Sequence, residues 1–378
     1  MKTILLAASF LAASSSAAMA QSTAIQSSDL TPRTTVWSPW GVFRSVTVKD
    51  SLGGETKATQ MSVPMSLNLR LGKSLSAVLY GAYAQTKVAP KGGTSTSLSG
   101  LTDVRARLFL RSGGGMVLSA GVSLPTGKHS LTAAEEPLAA VAANDVLGFR
   151  VRRYGEGVGA EFGLTRAFEA GSDGAFALGA SAVYKGEYAP SEGSTARYKP
   201  GSELSVSAGY DHHTPSTLLR LNASGRLYTK DQAGGLNVFQ QASQILLEER
   251  LVSTLGNHLN NDLSARQLLK GQNKFYSATA DVPPTTTDNG SNVGIVERLE
   301  LESSSGLKLA ATAEGSFYGK NDTGFDKAHL LGFGGEIGYA ASSNALLRVA
   351  GKILTGTADP GQVKLSGFEG SATLRAAF

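Results

Sequence analysis

The chain has 378 residues, a net charge of +5, 45 glycines, 12 prolines and no cysteine, which excludes a disulfide framework and a thiolate metal site. Its basic residues are dispersed rather than clustered, so we do not expect it to bind nucleic acid. The mean hydropathy of −0.06 does not exclude a membrane protein, because strands that cross a membrane are apolar on only one face.

The N-terminus has the pattern of a secretory signal peptide. A basic start precedes an apolar run over residues 4–11, and Ala18 and Ala20 form a small-residue cleavage site. The apolar run is shorter than the ~20 residues with which a helix spans a bilayer. The predicted domains are a signal peptide at residues 1–20, a short periplasmic segment at residues 21–33 and a transmembrane β-barrel at residues 34–378.

From residue 34 onward, apolar and polar residues alternate in segments separated by turns. The clearest segment is residues 61–71, in which every second residue is apolar. A period of two predicts strands with one apolar and one polar face. Turns such as the three glycines at residues 113–115 supply the positive φ that a tight hairpin needs.

A long connection, from residue 125 to about residue 155, follows the predicted strand that comes after the glycines at residues 113–115. Its alanine-rich part, residues 131–143, predicts a short helix, and residues 146–154 are interpreted as loop rather than as a strand. We hypothesise that this connection folds into the barrel and narrows the pore.

The rest of the chain is an internal repeat of strand, short turn, strand and polar loop. Its four segments are residues 201–234, 242–274, 290–322 and 327–360. Within the second segment, residues 240–255 also contain good helix formers and are compatible with an amphipathic helix. The position of this stretch in the repeat favours a strand.

The last segment, residues 361–378, places Glu369 and Arg375 on one face and small or apolar residues on the other. This pattern suits the closing strand of a transmembrane β-barrel, with its polar face in the lumen and its apolar face in lipid. The segment ends on Phe378 and resembles the C-terminal assembly signal of bacterial outer-membrane proteins. The resemblance implies recognition of this strand by the barrel-assembly machinery.

Short connections alternate with longer polar loops along the whole chain. In outer-membrane barrels the short turns face the periplasm and the long loops face outside, so we predict about 16 antiparallel strands, with 14 or 18 left open. The predicted fold class is therefore all-β, a closed antiparallel barrel in the outer membrane, surrounded by outer-membrane lipids. Aromatic residues near the strand ends predict interface girdles, among them Tyr184, Tyr228, Phe317 and Tyr318 at outer ends and Tyr210 and Tyr339 at inner ends.

If the apolar phase faces lipid, the opposite phase lines the lumen. Charged residues of both signs lie on this phase, with a basic excess, and they require a water-filled interior. The predicted lumen-lining residues are Arg105, Arg107, Arg111, Arg226, Arg250, Arg266, Arg298, Glu300, Glu314, Arg348 and Lys352. Such charges predict a weak preference for anionic or polarisable solutes. The alternative is that they only pair across strands and brace the wall.

Two acidic residues, Glu249 and Glu297, fall on the apolar phase, where a carboxylate is unfavourable in lipid. A β-bulge that shifts the phase would explain them, and so would a contact with another protomer. The sequence leaves both explanations open, so it does not determine whether the protein forms oligomers.

No catalytic or cofactor-binding motif occurs. Most of the five histidines lie in or beside turns, and no nucleophile-elbow, phosphate-loop or His-Glu-x-x-His pattern is present. We therefore expect no enzymatic activity, no metal and no cofactor.

Three short motifs support a family resemblance: SGLTDV at residues 99–104, VSLPTG at residues 122–127 and GEG at residues 155–157. Over roughly residues 99–188 the chain resembles the outer-membrane transporter family of the meta pathway of phenol degradation. The resemblance implies uptake of small, often aromatic or hydrophobic compounds. We predict a passive channel for small solutes, and the alternative is a barrel with a structural or surface-binding role.

Overall fold

The structure is a computed structural model that describes residues 36–256, 258–277, 282–303, 305–342 and 344–377. The predicted signal peptide, the segment at residues 21–33 and Phe378 lie outside the described residues. The strands are β1 (Val36–Asp50), β2 (Glu55–Arg70), β3 (Leu75–Pro90), β4 (Thr96–Leu101), β5 (Val104–Arg111), β6 (Met116–Leu124), β7 (Gly159–Glu169), β8 (Gly174–Lys185), β9 (Tyr198–Lys199), β10 (Glu203–His213), β11 (Thr217–Tyr228), β12 (Asp231–Ala233), β13 (Leu236–Gln240), β14 (Gln244–Thr254), β15 (Leu259–Lys270), β16 (Gln272–Phe275), β17 (Thr285–Asp288), β18 (Asn292–Glu302), β19 (Leu307–Tyr318), β20 (Ala328–Ser342), β21 (Ala345–Ala358) and β22 (Val363–Ala377). A helix, α1 (Glu136–Ala143), lies between β6 and β7, and a 3-10 turn, Asp359–Gly361, joins β21 to β22.

The main sheet closes on itself into a barrel. Its neighbouring strands are antiparallel, and β1 pairs with both β2 and β22, with Arg44 opposite Glu369 at the closure. The sheet contains 17 strands, but β4 and β5 are two parts of one transmembrane strand, since β3 pairs with both. The barrel therefore has 16 transmembrane strands, as predicted.

The connections alternate in length as predicted, with the short turns at one end of the barrel and the long loops at the other. In the turn between β5 and β6, Gly114 and Gly115 have φ of 70° and 74°, values that other residues rarely adopt. A Cβ on Gly115 would also lie 2.5 Å from the carbonyl oxygen of Ala167, so glycine is required there.

The outer wall is apolar. Large apolar side chains project outward along the strands, and Phe162, Ile353 and Ile337 are 66%, 65% and 59% exposed. A continuous apolar surface of this kind requires lipid rather than water around it.

Residues 244–254 form strand β14, so the helical alternative for residues 240–255 is wrong. Among the described residues, no helix combines the length and apolarity that crossing a bilayer requires.

Both unexplained acidic residues lie on this outer wall. Glu249 is the middle residue of the 11-residue strand β14, and Glu297 is the middle residue of the 11-residue strand β18. Both side chains are exposed, and both strands pair in unbroken register with their neighbours. The β-bulge explanation is therefore wrong, and two carboxylates lie at mid-height on the lipid-facing surface.

Three of the long loops form a second, five-stranded sheet above the barrel, in the order β17-β16-β13-β12-β9. The phenol of Tyr198 donates to Asp231, whose second carboxylate oxygen accepts from the Gly201 amide at 2.7 Å.

Two of the predicted girdle residues near this end of the barrel are not in a girdle. Tyr228 is buried and its hydroxyl donates to Gln244 at 3.3 Å, while Tyr318 points inward, so neither belongs to a girdle.

Candidate functional site

The connection between β6 and β7, residues 125–158, folds into the lumen, as hypothesised; we name it the constriction loop. On one side, the hydroxyl of Tyr154 lies 2.8 Å from that of Thr86 on β3. On the other side, the Lys270 ammonium on β15 donates to Asp145 at 2.7 Å, and Tyr318 on β19 donates to the Asp145 carbonyl at 3.1 Å. The loop therefore reaches across the barrel and narrows the path through it.

The helix of the constriction loop is shorter than predicted. Residues 131–135 stay outside it because Leu131 is held in an extended bridge to the neighbouring loop, where its amide donates to the Pro190 carbonyl at 3.0 Å. Helix α1 begins instead at Glu136, with a proline in its first turn, where the missing amide hydrogen has no effect on helix bonding. Residues 146–154 form no strand, as predicted.

The base of the constriction loop is held by one carboxylate. Asp103, buried between β4 and β5, accepts the Gly127 amide at 2.9 Å and the Glu156 amide at 2.6 Å, so it ties the start of the loop to its end. A Cβ on Gly127 would overlap the carbonyl oxygen of Tyr154. The three sequence motifs at residues 99–104, 122–127 and 155–157 thus meet at one point, and their shared role is to fasten this loop.

Two apolar clusters seat the outer part of the constriction loop on the wall. One contains Leu138 and Val151 of the loop against Leu98 on β4. The other contains Phe149, which is only 2% exposed, against Val46 on β1 and wall residues of β20–β22. Burial of this much apolar surface stabilises one position of the loop rather than a mobile ensemble.

Two polar wall residues fix the loop backbone between these clusters. The side-chain amide of Gln60 both donates to the Val151 carbonyl at 2.6 Å and accepts the Val151 amide at 2.9 Å. The guanidinium of Arg44 donates to the Leu147 carbonyl at 2.7 Å. Sequence reasoning missed Arg44, because it shares its inward phase on β1 with the apolar residues Val42 and Val46.

Below the loop lies a cavity of about 210 Å³, bounded by the loop and by the wall of β15, β18 and β19. Its apolar and aromatic lining includes Leu268, Tyr318 and Leu330. Its charged lining consists of Arg44, Arg150, Arg152, Arg266 and Lys352 with only Asp145 and Glu314 as acids. We name this space the basic cavity. Positive residues remain in excess even when the adjacent Glu248, Lys270 and Glu369 are counted.

The charges around the basic cavity contact one another across the loop and the wall. Glu369 accepts from Arg44 at 2.7 Å and lies 3.0 Å from Lys352 and 3.3 Å from Arg150 of the loop. Lys352 also donates to Glu314 at 2.8 Å. Glu369 therefore serves three cations and shares Lys352 with Glu314, which is the arrangement expected where cations outnumber acids.

Asp145 is the acidic counterpart on the loop side, and it is paired with Lys270 and with Arg152. Burial by itself raises the pKa of a carboxyl group. Here the charges of Lys270 and Arg152 outweigh burial, so the pKa of Asp145 lies below its ordinary value. Asp145 is consequently charged at neutral pH and holds the loop against β15.

A second group of charges, nearer the turn end, is balanced; we name it the charge ladder. Its cations and acids lie on β18–β21, and they are Arg298, Lys308, Arg348, Glu300, Glu302 and Glu336. Arg298 pairs with Glu300 on its own strand and donates to Glu336 at 2.7 Å, which links β18 to β20 across the intervening β19. Pairing of this kind across strands is the arrangement that the alternative interpretation of the lumen charges predicts, and its bracing role stays a prediction.

The predicted lumen residues therefore separate into distinct sets. Arg266, Glu314 and Lys352 line the basic cavity, and Arg298, Glu300 and Arg348 belong to the charge ladder. Four others pair with acids elsewhere, namely Arg105–Glu156 at 3.3 Å, Arg107–Glu161 at 2.6 Å, Arg226–Glu203 at 3.6 Å and Arg250–Asp262 at 2.7 Å. Arg111 is exposed at the turn end of β5 and joins neither set. Arg150 and Arg152 were missed because they lie on a loop, where no strand phase identifies them.

No family model matches the chain, and a search of curated proteins gave no match. The resemblance to the phenol-degradation family therefore stays a prediction. Among solved structures, the chain is similar to an outer-membrane channel from Pseudomonas putida F1, with 11% identity and a TM-score of 0.38 over 91% of this chain and 95% of that one. It is also similar to OccK2 of Pseudomonas aeruginosa, solved in complex with glucuronate, with 10% identity and a TM-score of 0.45 over 91% and 98%. CymD, a monoaromatic hydrocarbon channel, gives 8% identity and a TM-score of 0.43 over 93% and 91%.

All three TM-scores are below 0.5, and the environment of the protein follows from the barrel itself. In the described part of the chain, every wall strand pairs antiparallel with both of its neighbours, and the sheet has no free edge because β1 pairs with β22. Apolar side chains cover its exterior, while ion pairs and the constriction loop occupy its interior. A closed barrel with an apolar exterior is the only β-structure in which all backbone N–H and C=O groups can form hydrogen bonds inside a bilayer. The chain is therefore a bacterial outer-membrane β-barrel protein.

Proposed function

We propose that this protein is a passive channel for small solutes across the outer membrane, with a preference for anions. The observation that carries the proposal is the basic cavity, which lies beneath an inward-folded loop inside a closed barrel. A loop that served only to brace the barrel would be expected to bury its charges in balanced pairs. Here the wall and the loop together present an excess of positive charge to the lumen.

The mechanism is diffusion down a concentration gradient through hydrated space. The positive cavity raises the local concentration of anions, and its acids, Glu314 and Asp145, keep the attraction weak enough for release. The family resemblance adds aromatic compounds as candidate solutes. The proposed partners are the solute itself, the outer-membrane lipids along the apolar wall and the assembly machinery at the C-terminal strand.

The purified protein in planar bilayers tests the proposal. We expect stepwise channel conductance, and under a KCl gradient a reversal potential of the sign that indicates anion preference. Liposomes that contain the protein should swell in small sugars. Absence of both conductance and swelling would favour the alternative of a barrel with a structural or surface-binding role, and a cation-selective reversal potential would contradict the anion preference.

A further inference from the structure

The basic cavity differs from a general electrostatic filter because it has a defined size and a mixed lining. Its volume of about 210 Å³ is below the ~300 Å³ at which pockets for drug-sized ligands begin, so it suits only a small solute. Leu268 and Leu330, which are 3% and 4% exposed, back its wall with apolar groups, and Tyr318 adds an aromatic ring. An inorganic anion would make no use of that surface.

The cations converge on the cavity from two independent parts of the chain. Arg44, Arg266 and Lys352 project from the wall, whereas Arg150 and Arg152 belong to the constriction loop. The Nε donor of Arg152 has no hydrogen-bond partner within the described part of the chain. Guanidinium groups bind carboxylates with two parallel hydrogen bonds, an arrangement that a single lysine cannot provide.

Space in the cavity depends on small wall residues. Gly294 on β18 faces inward and lines the cavity, and a Cβ there would have only the Gly315 carbonyl oxygen nearby, at 4.0 Å. A larger side chain at this position would therefore fill the cavity without disturbing the wall or removing any charge.

We propose that the basic cavity is a saturable binding site for small organic carboxylates that carry an apolar body, with the loop arginines supplying part of the carboxylate recognition. This inference rests on the proposed channel function and names the solute class of the same lumen. Binding by the loop and the wall together also implies that the solute is held at the narrowest part of the path. The flux should therefore saturate with concentration, unlike free diffusion.

The test uses benzoate as the carboxylate and benzamide as its neutral counterpart of similar shape. Calorimetry on the purified full-length protein in detergent should detect benzoate binding and no benzamide binding. Uptake of labelled benzoate into liposomes should saturate. We expect Arg150→Gln to weaken benzoate binding by about tenfold, the loss typical of one charge-assisted hydrogen bond. Gly294→Leu should abolish binding although it leaves every charge in place.

Arg250→Gln is the matched control, because Arg250 pairs with Asp262 at 2.7 Å outside the basic cavity. It should bind benzoate like the wild type. Should benzoate flux rise linearly with concentration in a protein that conducts KCl, or should benzamide bind equally well, the carboxylate site is wrong and the channel stands. If the wild type conducts nothing, the proposed function itself fails, whatever benzoate does.

Discussion

The basic cavity and the charge ladder are built from the same residue types on the same inward strand phase, yet they are organised differently. In the ladder, Arg298 and Lys308 contact acids on β18 and β20, and cations and acids are balanced. In the cavity, the wall cations already outnumber the wall acid, and the constriction loop adds Arg150 and Arg152 against the single acid Asp145. The folded-in loop thus adds positive charge to a section of the wall that is already basic.

The largest effect is expected from Lys270→Met, which removes a cation whose side chain is 0% exposed from the loop carboxylate of Asp145. Breaking a buried pair typically costs 3–5 kcal/mol, and we expect about 3 kcal/mol because Arg152 still neutralises Asp145. The constriction loop should loosen, which would lower the denaturant midpoint in detergent and raise single-channel conductance.

Lys320→Met provides the control for that variant. Lys320 pairs with Asp288 at 2.9 Å, but it lies on an outer loop with 56% of its side chain exposed. Such a pair contributes little in water. An equal loss of stability in both variants would show that the Lys270–Asp145 pair does not hold the loop.

The next largest effect is expected in the pH dependence of single-channel conductance. The pKa of Asp145 is depressed in the folded protein, so its contribution to loop docking is fully present above the ordinary aspartate pKa of about 3.9 and is lost as the pH falls through the lower, folded value. Conductance should therefore stay constant from pH 7 to about pH 4 and increase below it. In Lys270→Met the transition should shift to higher pH, and a transition at the same pH in both proteins would contradict this assignment.

A smaller effect is expected at the charge ladder. Arg298→Met removes a cation from Glu300 and Glu336, which retain Lys308 and Arg348 as partners. Cross-strand pairs contribute roughly 0.2–1 kcal/mol, so the denaturant midpoint should fall slightly. The reversal potential under a KCl gradient should not change. Replacing Arg266 of the basic cavity by methionine should shift the reversal potential toward cations. An equal shift in Arg298→Met would mean that the ladder takes part in selectivity and that the comparison with the cavity is wrong.

The last effect has the opposite sign and concerns the outer wall, where Glu249 and Glu297 face lipid at mid-height. Replacing either by leucine should raise the unfolding free energy in lipid by about 1 kcal/mol, since acidic side chains are unfavourable there but less so than basic ones. Unfolding titrations in lipid vesicles measure this. A loss of stability instead would favour the protomer contact that the sequence left open.

The sequence by itself determined the wall. Strand side chains alternate with period two because of the local geometry of the pleat, so the apolar and charged phases of β18 or β22 are readable without knowing their neighbours. A turn can also be identified from its own residues alone, as the glycines at residues 113–115 illustrate. The barrel class, its strand number and the end at which the short turns lie followed from these two patterns.

Tertiary structure alone decided which lumen charges form a site. The contacts that place the constriction loop join residues far apart in the chain, such as Tyr154 with Thr86 and Asp145 with Lys270, which are 68 and 125 positions apart. No local pattern encodes such pairs, because a loop has no strand phase. For the same reason Tyr318 reads as a girdle residue in the sequence, yet in the folded barrel it supports the loop.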